Sequence, residues 1–167
     1  NKTITTGGGG MVITDDEAVA KRIRHITTTA KVAHRWEFFH DELGYNYRLT
    51  NLNAAIGVAQ MEQLDRYITS KRAIAARYAE FFGNGSTQHF AEPAACHSNY
   101  WLNVILLPDR TERDAFLAYT NDNGVMTRPA WTLMSKLPMY SHCPALSVES
   151  AQWLEDRLVN IPSSPIV

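Results

Sequence analysis

With 167 residues, 45% of them hydrophobic, the chain is long enough to bury a sizeable core and has the composition of an ordinary globular protein. Sixteen Lys and Arg against seventeen Asp and Glu leave a formal charge of −1, without the basic surface that phosphate-backbone binding needs, so nucleic acid is not expected as a partner. No apolar run approaches the roughly 20 residues that span a bilayer, and the start lacks the charged-then-apolar pattern of a signal peptide, so a cytoplasmic protein with no membrane partner is expected.

Four glycines, Gly7 to Gly10, precede the short β-branched stretch Met11 to Thr14, which reads as a strand entered through a tight turn or a close ligand approach. Thr14 then stands as an N-cap before Asp15, Asp16 and Glu17, and Val19, Ile23 and Ile26 give an apolar face to a helix ending near His25 to Thr27. Thr27 to Leu43 has no clean period and reads as a long functional or interface loop.

From Thr50 or Asn51 onward Leu52, Ala55, Ile56, Ala59, Leu64, Ile68, Ala75, Tyr78 and Phe82 recur near helical spacing until Gly83-Asn84-Gly85-Ser86 stops them. At 1.5 Å per residue a single helix of this length would span roughly 45 Å, enough to run from one domain into the next. Gly57 inside it costs roughly 1 kcal/mol against Ala and so marks a close packing contact. Downstream the pattern predicts a strand at Tyr100 to Leu107, a helix from about Thr111 to Asn123 closed by Gly124, and a strand at Val125 to Arg128 ended by Pro129. Ser147 is placed to cap a last helix carrying Ala151, Leu154 and Leu158, before extended chain at Pro162-Ser163-Ser164-Pro165.

Three segments carry a resemblance. The run Asn1-Lys2-Thr3-Ile4-Thr5-Thr6-Gly7-Gly8-Gly9-Gly10-Met11 resembles the lysine segment of the DegT/DnrJ/StrS nucleotide-sugar aminotransferases, which use pyridoxal phosphate (PLP) on the aspartate-aminotransferase fold. The run from Gly44 to Gly57, opening Gly44-Tyr45-Asn46-Tyr47-Arg48-Leu49, resembles the same family's second hallmark. Arg128-Pro129-Ala130-Trp131 with Asn160-Ile161-Pro162-Ser163-Ser164-Pro165 resembles its C-terminal domain. The resemblance covers essentially the whole chain and implies an α/β fold: the C-terminal half of a PLP fold-type-I enzyme, with 1–50 from the large domain, 51–85 as an inter-domain helix and 86–167 as the small α/β domain. Gly8, where many members carry Glu, and Asn53 after Leu52 make the chain most similar to the branch that makes 4-amino sugar nucleotides for legionaminic-acid-type sialic acids.

The resemblance implies transfer of an amino group, with glutamate as the expected donor, to a keto carbon of a nucleotide-linked 6-deoxy sugar through a lysine–PLP aldimine, for surface-polysaccharide sugars. Lys2 is the implied catalytic and cofactor-binding residue, since its amine condenses with the cofactor and then moves protons. Relatives that dehydrate sugars carry histidine there, so Lys2 favours transamination. Asn46 is implied to reach across a homodimer to the cofactor phosphate of the partner subunit. Arg48 has the chemistry to pair with an anion, on substrate or on protein. Arg128 suits a diphosphate, and Trp131 suits either stacking on the nucleotide sugar or packing in the core. Tyr45 and Tyr47 read as packing residues.

Gly7 to Gly10 is not a nucleotide phosphate loop, because no Gly-Lys-Ser/Thr follows. Cys96-His97 and His142-Cys143 lack metal-ligand spacing, and with only two cysteines the chain reads as carrying free thiols and no metal. A lysine one residue from the start also reads as the second half of a larger enzyme. The family's preceding half supplies the pyridinium partner and most phosphate contacts, so these residues alone are expected to bind the cofactor weakly or not at all and not to turn over. The rival reading is a catalytically inactive product serving as an assembly or binding module.

Overall fold

A computed structural model describes residues 2–166, which divide into two compact units, Ile4–Gln63 and residues 64–166 together with 2–3. In Ile4–Gln63 the first helix, α1 (Glu17–Thr27), starts two residues later than the Thr14 cap implied. Asp16 is the N-cap, its carboxylate accepting the N–H groups of Ala18 (2.8 Å) and Val19 (3.1 Å), while Thr14 Oγ accepts the Asp16 N–H (3.1 Å). The predicted strand at Met11–Thr14 does not form. Its residues are irregular and exposed, Met11 by 86% and Ile13 by 87%, because no described strand offers them a ladder.

The region read as a loop from Thr27 to Leu43 contains a small hairpin, β1 (Lys31–Val32) paired antiparallel with β2 (Phe39–His40). It leads into a pinned turn. Tyr45 N–H donates to Ile26 O (2.7 Å), Thr29 N–H to Tyr45 O (2.9 Å) and Tyr47 N–H to Thr27 O (2.9 Å), so 44–47 is laced to the end of α1. Thr29 (φ 71°) and Ala30 (φ 50°) are both left-handed without being glycine, a strained pair that the surrounding bonds must hold. Gly44 fits against them only because it has no Cβ, which would lie 2.4 Å from Thr29 C. Ala30, fully buried, is the only described residue of Ile4–Gln63 in that class.

The single long helix expected from Asn51 to Gly83 is two, α2 (Asn51–Glu62) and α3 (Leu64–Phe82). Gln63 breaks it: its N–H bonds Gln60 O at 3.2 Å, the tightened closure of a last turn. Thr50 caps α2, accepting the Asn53 N–H at 3.3 Å. Gly57 does mark a close contact, since a Cβ there would meet Thr6 Cγ2 at 3.0 Å.

The other unit holds an antiparallel four-stranded sheet in the order β3 (Gln88–His89), β4 (Asn103–Leu106), β6 (Leu158–Ile161), β5 (Arg128–Pro129). Asn103 pairs with Ile161, Ile105 with Val159, and Arg128 with Asn160. One face carries Ile105, Leu107, Val159 and Ile161, against which Tyr78 and Phe82 of α3 and Phe116 and Leu117 of α4 (Arg110–Asp122) pack. Asp109 caps α4 and Gly124 follows it at φ 77°, the left-handed residue that ends a helix.

Three expectations shift here. Val125 is not in a strand, β5 being Arg128–Pro129, so the strand starts three residues later than expected and has Pro129 as its last residue. The last helix, α5, is Glu149–Glu155 with Val148, not Ser147, at the N-cap. Leu158, which continued the helical spacing of Leu154, belongs instead to β6, an element the sequence reading did not include.

Candidate functional site

Lys2 is exposed, and its Nζ stands 3.3 Å from the centroid of the Trp101 ring. Trp101 follows Tyr100, a non-glycine residue at φ 43°, and the loop that delivers them is held by two consecutive residues of α3. Lys71, only 2% exposed, donates from Nζ to Trp101 O (3.2 Å) and Ser163 O (2.5 Å). Burial of that ammonium pushes its pKa down from the ordinary lysine value. Arg72 forks onto Glu92 (2.6 and 3.0 Å) and also donates to Ser98 O (2.8 Å). The Arg72 guanidinium, followed by the Ser98 N–H, holds the Glu92 carboxyl down at about 2.

Of the other residues expected in this unit, Arg128 lies on β5 with an exposed side chain whose described contact is Met126 Sδ at 3.3 Å. Trp131 is 71% exposed, so it is not the core residue that its alternative reading allowed. The described contacts bring Lys2 to Trp101 but join neither of them to Arg128 or Trp131.

In Ile4–Gln63 the glycine run and the second hallmark meet. Asn53 Nδ2 donates to Thr6 O, and Thr5 N–H donates to Gln60 Oε1 (3.3 Å), which tie the approach to Gly7–Gly10 onto α2. A cavity of about 590 Å³ opens beside them, lined among others by Gly8, Gly10, Tyr47, Arg48, Thr50 and Asn53. Gly8 and Gly10 leave open space where a side chain would stand. Arg48 is exposed at this cavity and has no ion pair among the described residues, so the cavity presents a cation and unobstructed backbone, a combination suited to an anion. Asn46 is exposed and makes an isolated antiparallel bridge with Thr28, outside the cavity lining. Tyr45 and Tyr47 stack on each other at 5.3 Å.

His25, Asp41 and Glu42 come close enough to share an ion, but their atoms are already committed. Arg22 forks onto Glu42 and His25 Nε2 bonds Asp41 (2.7 Å), and these partners pull both carboxyls below the usual range. The cluster is an ion-pair clamp on the segment that carries Asn46. Sequence reading missed it, as it missed Trp101, Lys71, Arg72 and Glu92. The legible signal was the aromatic pair Tyr100-Trp101 at the entry of a strand after a polar loop.

Comparison with known proteins gives a consistent picture. The DegT/DnrJ/EryC1/StrS aminotransferase family matches the chain over residues 1–167. GDP-perosamine synthase of Escherichia coli O157:H7 is 39% identical across 99% of this chain and 44% of its own length, and that of Vibrio cholerae is 36% identical across 99% and 46%. The chain thus spans less than half the length of these relatives. The aminotransferase TlmJ from Streptoalloteichus hindustanus superposes with a TM-score of 0.87 at 25% identity, over 98% of this chain and 44% of that one. PseC of Helicobacter pylori, an aminotransferase involved in the biosynthesis of pseudoaminic acid, shares the fold with a TM-score of 0.88 at 18% identity, over 98% and 45%. The expected fold class, the C-terminal half of an aspartate-aminotransferase-like enzyme, is the one these structures share.

Proposed function

The chain belongs to the DegT/DnrJ/EryC1/StrS aminotransferase family, and from that membership we propose that it forms part of an enzyme moving an amino group from glutamate to a keto carbon of a nucleotide-linked 6-deoxy sugar, with Lys2 as its catalytic residue. The carrying observation is Lys2 itself: an exposed primary amine, without a described carboxylate partner, just ahead of Gly7–Gly10 in a chain the family matches throughout. An amine that must form and release a covalent bond needs that freedom, so Lys2 fits pyridoxal phosphate, the cofactor expected from the family. When bound, the cofactor supplies an electron sink for the substrate carbon. Lys2 anchors it and carries the proton.

Arg48 offers a guanidinium with no ion pair among the described residues to an anion, and Arg128 and Trp131 offer an exposed cation and indole to a nucleotide sugar. Asn46 is assigned to the cofactor phosphate of the partner in a cytoplasmic homodimer. The names of the curated relatives make a GDP-linked sugar the first substrate to test, beside the legionaminic-type branch that Gly8 and Asn53 suggest.

A second reading, in which these residues alone bind cofactor weakly and serve assembly, is favoured by the thin interior of Ile4–Gln63. Met11, Ile13, Phe38 and Leu52 are each more than 70% exposed there, beside one buried alanine. Intact mass and peptide mapping after pyridoxal phosphate and borohydride separate the two. Saturable labelling confined to Lys2, and absent in Lys2→Arg, supports a retained cofactor site. Labelling spread over the other lysines overturns it.

A further inference from the structure

We propose that Trp101 is a positioning residue for Lys2: its indole face is the platform on which the free amine rests whenever Lys2 is not covalently engaged. The inference rests on the reading of Lys2 as the cofactor lysine, but the contact itself is independent of it. A cation 3.3 Å from the centroid of an indole ring is well inside the roughly 6 Å over which the ring quadrupole attracts an ammonium.

The platform is built, not incidental. The loop that ends in Trp101 is fastened at several points. Glu92 accepts from Arg72 and from the Ser98 N–H (2.6 Å), and Arg72 reaches on to Ser98 O. Tyr100 N–H donates to Ser98 Oγ (3.0 Å) and Trp101 N–H to Asn99 Oδ1 (2.9 Å). Tyr100 is kept at φ 43°, a conformation that persists only where surroundings over-determine it. Lys71 then fixes the Trp101 carbonyl with a buried ammonium. Its second bond, to Ser163 O, ties the platform to the chain leaving β6, where Ser163 Oγ also accepts the Asn103 N–H at 2.7 Å. Two ammonium groups thus meet Trp101 at different ends: Lys71 at its backbone, Lys2 at its ring.

The contact predicts a ring-current signature. The chain is reductively methylated with ¹³C-formaldehyde, which keeps the amines cationic and places an NMR probe on each accessible lysine among the five, Lys2, Lys21, Lys31, Lys71 and Lys136. Lys2, assigned by its loss in Lys2→Arg, should resonate upfield of Lys21 and Lys136. Lys31, whose Nζ is 4.0 Å from the Phe38 ring, gives a second displaced signal and serves as internal control. Trp101→Leu should return only the Lys2 signal to the unshifted position, Trp101→Phe should retain a displaced one, and Lys71→Met should reduce its displacement. An unshifted Lys2 in the parent chain, or a shift that survives Trp101→Leu, overturns the inference. Borohydride mapping with pyridoxal phosphate keeps the two ideas apart. Labelled Lys2 without the shift sinks the platform and leaves the cofactor reading, whereas the shift without specific label does the reverse.

Discussion

Replacing Gly44 by Ala tests how the segment bearing Asn46 and Arg48 is held. The added Cβ would lie 2.4 Å from Thr29 C, 2.5 Å from Ala30 N and 2.9 Å from Ala30 Cβ. Ordinary contact begins near 3.4 Å, so 3.4 − 2.4 leaves about 1 Å to be found. Backbone has to supply it. Thr29 and Ala30 are already in the left-handed region, and Ala30 is fully buried, so the turn yields only by lifting 44–47 away from α1. Overpacking of this kind costs about 1–3 kcal/mol, which is about 5- to 140-fold in a local opening equilibrium. Amide hydrogen exchange reads it directly, because the Thr29, Tyr45 and Tyr47 N–H groups make the bonds that would break. Exchange at those three amides should accelerate by that factor in Gly44→Ala while amides of β4 and β6 stay unchanged. Unaltered exchange at all three would refute the claim that close backbone approach fixes this turn.

Lys71→Met should lower the unfolding free energy of the unit containing Lys71, read from urea denaturation, by about 1–3 kcal/mol, because the carbonyls of Trp101 and Ser163 lose their donor. Ser163→Ala should cost about 1–3 kcal/mol in the same assay by stranding the buried Asn103 N–H. The Glu92 carboxyl is held at about 2 against an ordinary 4.5. Its contribution is therefore complete above 4.5 and is lost as pH falls toward 2. Thermal unfolding followed by circular dichroism should show that acid loss in the parent chain and a flatter profile in Glu92→Gln.

What was legible in the sequence was whatever rests on neighbours along the chain. The helix α4 lies within one residue of its expected span because a signal such as Gly124, just past its end, is local to the chain. Thr50 likewise marks the start of α2. Met11–Thr14 has the composition of a strand, but a strand exists only with a partner, and composition does not reveal one. The break at Gln63 carries no glycine or proline to announce it. Leu158 fits a helical period and a strand equally well, and pairing with Leu106, 52 residues earlier, decides the matter. At the site, the motifs pointed to Lys2, Asn46 and Arg48. The platform beneath Lys2 stayed invisible because a buried lysine looks like any other in sequence, and Lys71 finds its acceptors 30 and 92 residues away.

The placement of Pro129 in β5 governs how this surface is able to grow. An edge strand normally offers alternate N–H and C=O groups to any extended peptide that arrives. β5 has two residues, one of them a proline without an N–H, and the opposite edge, β3, has only Gln88 and His89. Both edges of the described sheet are thereby poor templates for strand addition. Association through this unit is expected to favour exposed side chains such as Trp131 over edge pairing, which discourages open-ended fibre growth.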